Sequence, residues 1–196
     1  MDILVVDNGS YYLDNLIRLL PQSTVEVISY NKLLGITCNN YDAIILSGGH
    51  GLSVINHEKN YEAELELIRS IQVPLLGICL GSELIAFAYG SQLVRMEHKE
   101  KGLIHIEITK PDPVFRSVYN ILVYESHRWA ISTLSKELVQ LAISKDGIEV
   151  FRHASRPIYG VQFHPEAFVE VTNGNVLLKN FFRLVSEKTQ KFPSTD

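Results

Sequence analysis

Cysteine is scarce in this chain: Cys38 and Cys79 are the only two in 196 residues, and no C-x-x-C spacing joins them. That is too few for a disulfide framework, and such usage fits a reducing, intracellular compartment. Nowhere do 18 consecutive apolar residues occur, so no segment is expected to span a membrane. The N-terminus, MDILVVDNG, carries an acid at position 2 and no basic run, so no signal peptide is expected and a cytoplasmic location follows. An excess of basic charge is also missing. With 18 Lys+Arg against 22 Asp+Glu the formal net charge is -4, which argues against nucleic acid or an anionic membrane as partner. No H-x-x-x-H or similar spacing links His98, His105 and His153, so no metal is assigned, and no cofactor is expected. Internal repeats and low-complexity linkers are lacking as well. One domain over residues 1–189, followed by a loose tail at 190–196, is the organisation this predicts.

What is present is an alternation of short apolar runs with amphipathic segments. Ile3 to Val6, Thr24 to Ser29, Ala43 to Leu46 and Pro74 to Ile78 read as strands. Leu13, Leu16, Ile17 and Leu20 fall at helical spacing and are closed by Pro21; a second helix is expected near Glu58 to Gln72. After Gly90 come short strand-like runs: Leu103 to Thr109, Ile121 to Tyr124, Leu138 to Ser144, Ile148 to His153 and Ile158 to Phe163. A final helix is expected over Val176 to Val185. The pattern predicts an α/β fold, an open, mostly parallel sheet flanked by helices with a small added antiparallel or mixed sheet. In such a sheet sites form beyond the carboxyl ends of the strands, so the loops after Val6, Leu46 and Ile78 should meet at one edge.

Cys79 ends one of those strands. In PLLGICLGSELIAFA the apolar run stops at Cys79 and a helical face begins at once, with Leu84, Ile85 and Ala88 following Gly81 at three, four and seven residues. Gly77 and Gly81 flank the cysteine as G-x-C-x-G, a nucleophile elbow with sulfur in place of serine oxygen. A tight strand-to-helix turn needs small neighbours, and the helix N-terminus favours thiolate. Taken alone, Cys79 fits a small buried apolar residue equally well. A thiolate nucleophile needs a base, and the base an orienting group. Among seven histidines His164 is the best placed, because it ends an apolar run and Pro165 turns Glu166 back toward it. His127 is the second candidate base. Acyl chemistry also needs oxyanion donors, which Ser47-Gly48-Gly49-His50-Gly51 and the amide of Leu80 could supply. Alone, those glycines fit a tight turn or a phosphate cradle as well.

The segments LSGGHG, PLLGICLGSELIA and YGVQFHPE, in this order and spacing, resemble the class I glutamine amidotransferases over nearly the whole chain. That resemblance implies a flavodoxin-like amidotransferase fold. Cys79 would attack the side-chain amide of glutamine, with His164 as base and then acid and Glu166 as its orienter. Gly49 and Leu80 would give oxyanion amides, and Ser126, His127 and Arg128 would contact the amino-acid head group. Ammonia would pass to a synthetase partner of the ATP-pyrophosphatase type. Within the family VDNGSYY, YESH and HPEAFVEVTNG are most similar to the glutaminase part of GMP synthases.

The departures from the family pattern are specific. Glu83 stands where G-x-C-x-G-x-Q has glutamine; a glutamate accepts but cannot donate, so it suits an α-ammonium and repels an α-carboxylate. This is similar to the γ-glutamyl hydrolase branch. Tyr124 replaces a tryptophan, Trp129 stands at an aspartate position, and His50 at a proline position. A stand-alone γ-glutamyl amide hydrolase, or a non-catalytic regulatory module with the same fold, are the alternative readings. Cys38 reads as a bystander thiol, and Lys99-Glu100-Lys101 and Glu62-Glu64-Glu66 as solvated faces.

Overall fold

The computed structural model describes residues 1–191. Its strands are β1 (Asp2–Asp7), β2 (Thr24–Ser29), β3 (Ala43–Leu46), β4 (Leu75–Ile78), β5 (Gln92–Ile108), β6 (Ile121–Thr133), β7 (Leu138–Ile143), β8 (Ile148–His153) and β9 (Ile158–Val161). The α-helices are α1 (Leu13–Leu19), α2 (Glu62–Ser70), α3 (Leu80–Ala88) and α4 (Gly174–Lys191). The strands form one nine-stranded sheet ordered β2-β1-β3-β4-β9-β8-β7-β5-β6. From β2 to β9 every pairing is parallel, and from β9 onward every pairing is antiparallel. The antiparallel part is thus a continuation of the same sheet.

Alternation along the parallel strands explains the layering. Successive side chains leave a strand on opposite faces. Ile3, Val5, Ala43, Ile45, Leu76 and Ile78 accordingly join Leu16 of α1 and Leu178, Phe181 and Phe182 of α4 in one core. Leu4, Val6, Ile44, Leu46 and Leu75 join Leu65 and Ile68 of α2 and Leu84 and Ile85 of α3 in the other. Burial on both faces is why these strands read as unbroken apolar runs.

Register then brings the strand ends together. Val6 pairs with Leu46, Leu46 with Gly77, and Ile78 with Val161. The loops after β1, β3 and β4, and the turn that carries His164, therefore leave the sheet side by side.

Three expectations are corrected. The run expected at Leu103 to Thr109 belongs to a strand that begins at Gln92, and the run at Ile121 continues to Thr133. The added half of β5 is mostly exposed, and that of β6 places buried Glu125 and His127 among polar neighbours, so neither carries a clear apolar alternation; pairing between β5 and β6 makes them strands. The segment Ser126 to Arg128 consequently lies within strand β6. The last helix starts at Gly174 and runs through Lys191, so Gln190 and Lys191, expected in a tail, continue it; 192–196 lie outside the described residues. Among the described residues no helix is long and apolar enough to cross a membrane.

Candidate active site

The turn at Cys79 is built by close contact. A Cβ on Gly77 would lie 2.5 Å from the Gly81 carbonyl oxygen, and one on Gly81 would lie 2.3 Å from that of Leu46. Neither glycine has positive φ, so both are required by proximity rather than by conformation. The strain falls on the cysteine itself, at φ 48° and ψ -107°. Its backbone is held at both ends: the amide donates to Val161 at 2.8 Å, and the carbonyl accepts from Glu83 N at 3.0 Å and from the Ser82 hydroxyl at 2.8 Å. A strained non-glycine conformation that is bonded in this way is characteristic of functional positions.

His164 meets Cys79 across the carboxyl edge of the sheet. Its amide donates to the Tyr124 carbonyl at 2.9 Å, which anchors the turn after β9 to β6. Its Nδ1 lies 2.9 Å from Glu166 Oε1, and both side chains are buried. A Cβ on Gly48 would come within 2.7 Å of His164 Cε1 and 3.6 Å of Cys79 Cβ, so the loop after β3 closes over the pair. Burial pushes the Cys79 thiol up, and the neighbouring imidazole opposes that push. For His164 burial disfavours the charge, but the sulfur and then Glu166 outweigh it and raise the imidazole to about 10. Tyr12 packs its ring 5.0 Å from that of His164, and Tyr124 packs on Phe168 at 4.5 Å. Aromatic walls thus surround the imidazole.

The cleft above these residues has a volume of about 280 Å³ and is lined by Tyr12, Gly49, Cys79, Glu83, Arg128 and His164 among others. Gly49 sits against both Asn8 and Leu80, where a Cβ would be 2.6 Å from the Asn8 carbonyl oxygen and from Leu80 Cδ2. Leu80 opens α3, and the first amides of a helix have no acceptor within it. Glu83 is buried one turn into α3; its Oε1 accepts from Gln162 Nε2 at 3.2 Å, and burial raises it to about 7. Ser126, His127 and Arg128 reach the cleft from β6, with Lys99 from β5. His50, at the rim, contacts the Gly9 carbonyl and stacks on Tyr11 with centroids 4.3 Å apart. All the residues predicted for the site therefore line one cleft, except Glu166, which stands behind His164. Cys38 lies in a separate hollow with Leu33 and Ala63, and burial raises its thiol.

Sequence reading missed what supports the loop after β3. Asn8 donates from its amide to the Ser47 hydroxyl at 2.9 Å and from Nδ2 to the Ser47 carbonyl at 3.1 Å and to Glu64 Oε1 at 3.2 Å. Glu64 is fully buried, which corrects its assignment to a solvated face. The signal was present, because Tyr61, Glu64, Leu65 and Ile68 fall at 0, 3, 4 and 7 on one helical face. Burial raises Glu64 to about 8.

The chain belongs to the class-I glutamine amidotransferase family, whose model matches residues 4–185. Among curated relatives, it is 37% identical to a glutamine-hydrolysing GMP synthase subunit from Pyrococcus abyssi, over 94% of this chain and 99% of that one. It is 33% identical to the protein of the same name from Thermoplasma volcanium, over 97% and 95%. A crystal structure described as a GMP synthase subunit from Thermoplasma acidophilum superposes with a TM-score of 0.83, at 28% identity and 98% coverage of both chains.

Proposed function

We propose that this protein is the glutaminase subunit of a two-subunit GMP synthase, hydrolysing the side-chain amide of glutamine and passing ammonia to an ATP-pyrophosphatase-type synthetase. The observation that carries the chemistry is the convergence of Cys79, His164 and Glu166 at the carboxyl edge of one sheet. The Cys79 sulfur, its proton on His164, adds to the amide carbon. The tetrahedral oxyanion is received by the amides of Gly49 and Leu80. His164, held by Glu166, returns the proton to the leaving nitrogen; ammonia departs and a γ-glutamyl thioester remains. Water, deprotonated by His164, then releases glutamate and restores the thiol. Glu83 takes the α-ammonium, and Arg128, beside Ser126 and His127, takes the α-carboxylate. Both cysteines are free thiols, in keeping with a cytoplasmic enzyme.

The test is glutamine hydrolysis with and without an archaeal GMP synthetase subunit. Turnover that rises on adding the synthetase supports the reading. A second reading, a partner-independent γ-glutamyl amide hydrolase, is favoured by Glu83 alone; turnover of a γ-glutamyl conjugate without a partner would establish it instead. Covalent labelling by a glutamine-like electrophile, lost in Cys79→Ser, is the check on the nucleophile, and its failure would leave a non-catalytic module.

A further inference from the structure

In the wall of the cleft, reached through His127, lies a polar cluster that the thioester chemistry does not use. Glu125 and His127 stand two apart on β6, and Glu149 comes from β8. Candidate donor atoms of all three lie within 4.8 Å of one another, and all three residues are buried. Strands β6 and β8 are three places apart in the sheet order, which in a flat sheet would separate them by about 14 Å. The sheet curls to bring them together, and the β7–β8 turn packs against β6 at Gly147, where a Cβ would lie 2.7 Å from the Ile131 carbonyl oxygen.

The ring of His127 is held at both nitrogens. Its Nδ1 lies 2.8 Å from the Trp129 carbonyl oxygen, which can only accept, so Nδ1 carries a proton. Nε2 is then left 2.8 Å from Glu125 Oε2. The contact has the distance of an ion pair; among the described residues no donor from a third residue reaches Nε2 or either Glu125 oxygen, and the Glu125 carboxyl lies within hydrogen-bonding reach of Glu149. An imidazole nitrogen and a carboxylate oxygen this close need a cation between them, either a proton or a metal ion. Glu149 repeats the pattern, with Oε1 accepting from the Ser144 hydroxyl at 2.7 Å and Oε2 unpartnered. Among the described residues no lysine or arginine pairs with either carboxylate; Lys145, at the surface, pairs with Glu100 and Asp146.

We propose that Glu125, His127 and Glu149 form a closed site for a divalent transition-metal cation, with Zn²⁺ the ion best matched to one imidazole and two carboxylates. An imidazole that gives one N–H to a backbone carbonyl, as Nδ1 does to Trp129, is how metal-bound histidines are oriented. Nitrogen and oxygen donors of this kind suit zinc, with manganese the next candidate. The role is structural. The ion ties β6 to β8 and thereby fixes the wall that carries Ser126 and Arg128.

The experiment is zinc binding to chelator-stripped full-length protein in a Cys79→Ser background, which removes the thiolate that could otherwise hold zinc with His164. One equivalent bound with a rise in Tm is expected, with affinity reduced at least roughly 10-fold by adding Glu149→Gln. X-ray absorption on the bound ion should give nitrogen and oxygen neighbours. Should Glu149→Gln fail to fold, anomalous diffraction at the zinc edge on the Cys79→Ser protein locates the ion directly. No stoichiometric uptake of Zn²⁺ or Mn²⁺, uptake indifferent to Glu149→Gln, or an ion elsewhere would overturn the proposal; without uptake the cluster holds only protons.

Discussion

At Cys79 the sulfur, the strained backbone and the buried imidazole act together, and each neighbouring carboxylate has its own task. Glu166 lies on the far nitrogen of His164 and raises it, so Glu166→Gln should lower the imidazole from about 10. The alkaline limb of glutamine hydrolysis, where the leaving amine loses its proton donor, should move to lower pH, and kcat should fall roughly 100-fold or more. Glu83 is expected to act on binding. Raised to about 7, it is neutral below that pH and anionic above it. Only the anion attracts an α-ammonium, so KM for glutamine should fall as pH rises through 7, and Glu83→Gln should flatten that dependence. A pH series of initial rates measures both effects.

Between β3 and α3 the elements approach so closely that single methyl groups decide their geometry. Gly81→Ala would drive a Cβ into the Leu46 carbonyl, 2.3 Å away, and relief requires moving α3 off the sheet. Urea unfolding should show a loss of about 1–3 kcal/mol or more. Gly48→Ala presses on His164 Cε1 at 2.7 Å, the edge of a ring rather than backbone. Its cost should fall on activity, with kcat reduced far more than stability. If both substitutions cost only stability, the loop after β3 has no part in the chemistry.

At the scale of the molecule, five glutamates are buried among the described residues: Glu64, Glu83, Glu125, Glu149 and Glu166. The formal charge of -4 counts all of them as anions, yet burial raises Glu64 to about 8 and Glu83 to about 7. An acid whose folded pKa is raised holds its proton when the unfolded chain has lost it. Its contribution is therefore greatest below the unfolded value and is lost as pH rises toward the folded one. Tm should decline between about pH 4.5 and pH 8. In Glu64→Gln, which cannot ionise, the decline should be shallower, as calorimetry at the two ends of that range would measure.

The strand-and-helix alternation, the elbow and the order of its partners were legible in the chain because they are local. Apolar runs mark doubly buried strands, and G-x-C-x-G marks a turn where backbone meets backbone. The inward spacing of Glu64 was in the chain as well, but the run of glutamates read as a solvated face, because charge outweighed position on the helix. The polar reaches of β5 and β6 were not, since strand there is a consequence of pairing across the hairpin. Nor was the meeting of Glu125 and His127 with Glu149, which depends on the curl of the sheet. At the elbow itself, sequence determined that a cysteine would stand strained at the mouth of a helix. Register and burial decided what surrounds it, because they bring His164 and Gly49 from distant positions and set the charge that His164 and Glu83 can carry.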